Sequence, residues 1–86
     1  VAEYRLFVTA SAAKELDAVG TKKDRQRIVA RIRSLARESR PPGSRKLTAR
    51  EQYRVRQGVY RIVYEVDDAD CSVTVFKVGH RTGIYR

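Results

Sequence analysis

The sequence predicts an α+β fold: two helices packed on one face of a small, mostly antiparallel four-stranded sheet, in the order β-α-α-β-β-β. Three observations lead there. Residues 53–64, YRVRQGVYRIVY, alternate in character on either side of Gly58-Val59, as two short strands joined by a hairpin do. Upstream, Ile28, Ile32 and Leu35 recur at helical spacing within a basic stretch. Finally, 86 residues make one domain, 1–86, with one modest core.

Taken in order, Tyr4-Arg5-Leu6-Phe7-Val8-Thr9 is β-rich and reads as the first strand. Thr9 or Ser11 can cap a following helix that carries Ala13, Leu16 and Val19 along one stripe, with Gly20 ending it in the left-handed conformation. Thr21-Lys22-Lys23-Asp24 resembles a capping box with Asp in place of Glu and opens the second helix. There Ile28, Ile32 and Leu35 form the apolar stripe, widened by Val29 and Ala36. Lys22, Lys23, Arg25, Arg27, Arg31, Arg33 and Arg37 occupy the wet side. Arg40-Pro41-Pro42-Gly43-Ser44 stops the helix, and Arg45-Lys46-Leu47 leads into the hairpin. The third strand runs to about Val66 and residues 67–70 turn the chain. Residues 72–78 form the fourth strand, which Gly79 breaks.

A two-residue loop that starts with Gly suits a primed turn. In that register Gln57 faces Tyr60, Arg56 faces Arg61, and Val55 faces Ile62. Arg54, Arg56 and Arg61 then share one face, and Tyr53, Val55, Tyr60, Ile62 and Tyr64 the other. The apolar face, joined by Phe76 and Val78, should meet the helices. Parity along the last strand places Lys77, and by extension Arg81, with the arginines, and turns His80 the opposite way. Like charges directly opposite on a sheet oppose folding by roughly 0.2–1 kcal/mol. Guanidinium groups splayed into water would tolerate this. Five cations converging from three strands instead point to an anion-binding face, where phosphate turns repulsion into paired hydrogen bonds.

Composition narrows the partners. Nineteen Lys and Arg against ten Asp and Glu give a net charge of +9, which fits nucleic acid, an anionic surface or an acidic protein. The single cysteine, Cys71, excludes an internal disulfide and reads as a buried or half-buried bystander in a reducing cytoplasm. One His and one Cys argue against a zinc site, and no cofactor is expected. No apolar run approaches the ~20 residues of a membrane span, so a cytoplasmic protein without membrane contact is expected.

The residues KL, YRVRQGVYRIVYEVDD and VTVFKVGHRTGIYR together resemble the RelE/ParE superfamily of toxins from type II toxin–antitoxin systems, on the RelE-like branch. The resemblance covers nearly the whole chain. It implies a ribosome-dependent mRNA endonuclease that cuts in the ribosomal A site by attack of a 2′-OH on the adjacent phosphate. By the same resemblance Arg54 and Arg56 match basic strand residues, often Lys in relatives, that bind RNA phosphate beside Lys77. Arg61 matches a phosphate-stabilising Arg, Arg81 a second catalytic Arg, and Tyr85 a C-terminal Tyr that contacts the substrate. The implied partners are the ribosome, mRNA and an acidic antitoxin, with operator DNA reached only through that antitoxin. Two other readings belong to different classes: a ParE-like gyrase inhibitor, and a basic RNA-binding module without catalysis. The scarcity of aromatics on the arginine face disfavours the second of these.

Overall fold

The register of the central hairpin organises the fold. In the computed structural model, which describes residues 3–47 and 51–80, the elements are β1 (Arg5–Val8), α1 (Ala10–Asp17), α2 (Lys22–Ser34), β2 (Arg45–Leu47), β3 (Gln52–Gln57), β4 (Tyr60–Asp67) and β5 (Ser72–His80). They form one five-stranded sheet in the order β1-β5-β4-β3-β2, with both helices on one face. All pairings are antiparallel except β1 with β5. The α+β architecture matches the expectation, with one more strand than the four foreseen. The addition is β2, whose three residues pair with the edge of β3.

Gly58 has φ +61 and Val59 does not share its sign, the pattern of a type II′ turn. That turn sets Gln57 opposite Tyr60, Arg56 opposite Arg61 and Val55 opposite Ile62, as the alternation requires. Val55, Ile62 and Val78 line up across three strands beneath the helices, and all are buried. Tyr53 stacks on Tyr64, with ring centroids 5.8 Å apart, in the next row.

Thr9 and Thr21 cap the two helices, each side-chain oxygen accepting the N–H three residues on at 3.1 Å. Ile28, Ile32 and Leu35 are buried as the spacing predicts. In α1 the buried alanine is Ala12 and not Ala13, because Ala12 stands in line with Leu16 and Val19 at i, i+4 and i+7. Gly20 does not adopt the left-handed conformation; the helix ends in right-handed backbone at Ala18. α2 stops at Ser34, short of Arg37, where the Ser34 hydroxyl donates back to the Arg31 carbonyl at 2.6 Å.

Strand β5 departs furthest from expectation. Tyr64 pairs with Val75 while Val63 pairs with Lys77, so Phe76 is an extra residue at a bulge. The cause is legible in its parity. Val73 and Val75 stand on one phase and Val78 on the other, and only an inserted residue lets all three reach the core. Phe76, expected in that core, is the residue displaced and is half-buried. Gly79 does not break the strand, which continues to His80 opposite Tyr60. Cys71 is exposed at φ +50 in the β4–β5 turn, not buried.

A polar clasp ties the α2–β2 connection to the sheet. The Arg40 guanidinium donates to the Tyr53 hydroxyl (2.8 Å), Asp68 (2.9 Å) and Glu51 (3.2 Å). Tyr53 donates to Glu51 at 2.9 Å and Tyr4 to Asp68 at 2.6 Å. Arg40, then Tyr4, hold the Asp68 carboxyl below the usual carboxylate range. The Tyr53 hydroxyl, then Lys46 and Arg40, do the same for Glu51.

Two stability predictions follow from these features. Ile62→Ala should cost roughly 2–5 kcal/mol in urea unfolding. Arg61→Ala, one residue away on the other face, should leave stability nearly unchanged or raise it by removing the charge opposite Arg56. Because Asp68 and Glu51 bind protons less readily folded than unfolded, their contribution is present above about pH 4 and is lost as pH falls through the depressed values. The urea midpoint should therefore drop across that acid range, and Arg40→Ala should make the drop shallower.

Candidate anion-binding site

The helices cover one sheet face, and the other carries the arginines. Across it, Arg45 of β2 stands opposite Arg54 of β3, and Arg56 of β3 opposite Arg61 of β4. A shallow pocket of about 40 Å³ is lined by Gly43, Arg45, Arg54, Arg56 and Arg61. Since one water in the liquid occupies about 30 Å³, the dent accepts a water-sized or single oxyanion group, and a larger ligand would lie above it. Arg54 and Arg61 are half-buried, while Arg45 and Arg56 are exposed.

Arg45 was not singled out in the sequence, and local turn chemistry explains its place. Ser44 N–H donates to the Pro41 carbonyl at 3.0 Å, with Pro42 and Gly43 (φ +91) between them. This is a type II turn with Pro at its second position and Gly at its third, where a positive φ is required. It turns the chain immediately before β2, whose antiparallel pairing with β3 sets Arg45 against Arg54. The Pro-Pro-Gly motif was the available signal; what it left open was the strand pairing that follows.

Lys77 also lies on this face, as expected, but outside the pocket. It pairs with Val63, which in turn pairs with Arg54. Two strand spacings, about 10 Å, thus separate Lys77 from Arg54. Val63 is buried (7% exposed) on the face away from the helices, an apolar floor in register with the stems of Arg54 and Lys77. Gly79 stands opposite Arg61. His80 faces the helix side, edge-on to Tyr60 with centroids 5.8 Å apart, in agreement with its expected parity. Arg81 and Tyr85 lie outside the described residues.

One side chain holds the bulged strand from the helix layer. β1 pairs with β5 only as far as Val75, so among the described residues no strand flanks the later part of β5 on that side. There Val78 N–H donates to the Glu15 carboxylate of α1 at 2.8 Å. Glu15 thereby supports the part of β5 that carries Lys77. Glu15→Ala should cost roughly 1–3 kcal/mol by stranding this donor, whereas Glu15→Gln keeps an acceptor and should cost less. Hydrogen exchange at the Val78 amide should speed up in the alanine variant and much less in the glutamine variant.

Known structures share this fold. The archaeal RelE–RelB complex from Pyrococcus horikoshii OT3 contains a chain that matches with a TM-score of 0.80 at 24% identity, over 94% of this chain and 98% of that one. The isolated E. coli RelE toxin matches with a TM-score of 0.77 at 26% identity, over 95% and 90%. Toxin RelG of Mycobacterium tuberculosis is 41% identical over 34 residues, a stretch spanning 40% of this chain and 39% of that relative's length. The fold is therefore that of the RelE-like toxins. Residues 6–85 match the family of the ParE toxin of the type II toxin–antitoxin system parDE, and the chain belongs to that family of toxins.

Proposed function

We propose that this toxin is a ribosome-dependent mRNA endonuclease of the cytoplasm, cutting in the ribosomal A site. The observation that carries the proposal is the pocket lined by four arginines on the sheet face opposite the helices. In the reaction the 2′-oxygen attacks its adjacent phosphorus and the bond to the 5′-oxygen breaks. The products are a 2′,3′-cyclic phosphate and a free 5′-hydroxyl end. Negative charge grows on the non-bridging oxygens and on the leaving oxygen, and fixed guanidinium groups stabilise it. Each charge-assisted hydrogen bond contributes on the order of 1.5–3 kcal/mol.

Arg61, half-buried between β3 and β5, is the best-fixed candidate for the phosphate oxygens; Arg45, Arg54 and Arg56 surround the same point. Lys77, about 10 Å from Arg54, is suited to a neighbouring phosphate along the strand. Arg81 and Tyr85 enter as catalytic residues through the resemblance, Arg81 at the leaving oxygen and Tyr85 stacking on a base. A guanidinium keeps its proton at physiological pH, so the arginines act as electrostatic clamps and not as bases. His80 faces away from them. Catalysis on this reading rests on charge stabilisation and on the geometry the ribosome imposes on its mRNA. An acidic antitoxin would neutralise the free toxin and connect it to operator DNA.

Primer extension on mRNA in a translating extract tests the proposal. The protein should produce discrete cuts that need ribosomes. Arg61→Ala should lower the cleavage rate by on the order of 10²–10³, and His80→Ala by less than about tenfold. The family match to parDE toxins favours a second reading, gyrase inhibition. Inhibited supercoiling by purified gyrase, with mRNA left intact, would replace the nuclease reading. Normal growth of cells that make abundant folded protein would count against both.

A further inference from the structure

We infer that Phe7 is a stacking platform for an RNA base, two steps across the sheet from the arginine pocket. The inference rests on the reading of the arginine face as an RNA site but not on the cleavage chemistry. β1 is the outer strand beside β5, and Leu6 turns into the core with Val73 and Val75. Side chains alternate, so Phe7, paired with Thr74, stands on the face that carries the arginines. Phe7 is 48% exposed and is the one exposed large aromatic among the described residues. The bulge at Phe76 brings it into line. With that extra residue set aside, Lys77 lies one strand across and two residues along from Phe7. Arg61, opposite Gly79, lies one strand across and two residues along from Lys77. Each step is about 8 Å. Arg61, Lys77 and Phe7 thus follow one diagonal over β4, β5 and β1.

Spacing and chemistry select the occupant. Consecutive phosphates of an extended strand lie a comparable step apart, so a strand with one phosphate in the pocket and the next at Lys77 carries a base to Phe7. The ring is already backed on one side. Arg5 lies over it, 5.8 Å from the centroid, and is tethered to Asp70 at 2.7 Å. Arg5 precedes Phe7 along β1 whereas Lys77 lies beyond it, so the ring face away from Arg5 looks toward the arriving strand. The row of Phe7 continues through Thr74 to Glu65. Both offer hydrogen bonds to a base edge, and Glu65 repels a phosphate at that level. A single aromatic beside Arg5, Thr74 and Lys77 suits a flat base edged with polar groups better than it suits an apolar protein segment.

The test uses the purified full chain and a labelled single-stranded RNA of about six nucleotides, with binding read by anisotropy at low and high salt. The sequence contains no tryptophan, so Phe7→Trp introduces one fluorophore at the platform. The RNA should quench its emission, and a ribose–phosphate strand of the same length without bases should not. Phe7→Leu keeps an apolar side chain but removes the ring, and it should weaken binding by about fivefold or more at either salt concentration. Lys77→Ala should instead weaken binding mostly at low salt and reduce the salt slope by about one. Phe7 is exposed, and unchanged thermal melting certifies the fold of both its variants. Absent quenching, equal quenching by the base-free strand, unchanged affinity in Phe7→Leu or Lys77→Ala, or no binding by the unmodified chain would overturn the inference. Cleavage of mRNA on ribosomes is scored separately, so failure of the platform and failure of the nuclease reading are told apart.

Discussion

Everything in this molecule depends on the register between β3 and β4. Side chains alternate across a strand, so a slip of one residue would carry Arg54 and Arg56 beneath the helices and push Val55 into water. Gly58 at φ +61 sets that register at one end. At the other, the Tyr53–Tyr64 stack is anchored through its hydroxyls, Tyr53 to Arg40 and Glu51, Tyr64 to the Ser39 carbonyl at 2.7 Å. Burial pushes the Tyr64 phenol up to about 12, so it remains a hydrogen-bond donor throughout the physiological range.

β3 and β4 carry core burial on one face and like-charge contacts on the other. Val55 and Ile62 bury completely beneath the helices, each contributing on the order of 1.5–3 kcal/mol. Arg56 opposite Arg61 and Arg45 opposite Arg54 each cost roughly 0.2–1 kcal/mol. Burial wins, so the fold can hold the guanidinium groups together without a ligand. What repulsion remains becomes a preference for any anion that enters the pocket. This arrangement is preorganised, because the arginines are placed by packing on the far side of their own strands.

Two basic surfaces of different shape emerge on the two layers. The sheet presents charge around a dent of about 40 Å³, whereas the helices present it along an apolar groove of about 820 Å³. Point-like oxyanion recognition suits the first. Neither surface competes for the other's residues. Arg40 and its carboxylate partners, at the junction of the layers, hold the connection between them.

Local and periodic information was legible in the sequence. The hairpin register, the threonine caps and the stripe of Ile28, Ile32 and Leu35 depend on neighbours a few residues away, and so does the grouping of Arg54, Arg56, Arg61 and Lys77. The sequence pattern was enough to split that sheet into an apolar and a basic face. The roles of Arg81 and Tyr85 came from resemblance alone. Tertiary structure decided the rest. β2 pairs its three residues with the edge of β3, a pairing too short for any periodicity to announce, and with it comes Arg45. Phe76 leaves the core because Val73, Val75 and Val78 compete for one face with opposite phases, a conflict that only packing against the helices resolves. The groove beside α2 is likewise a property of two helices at a particular separation: residues that read as a solvated face line a cavity once α1 is in place.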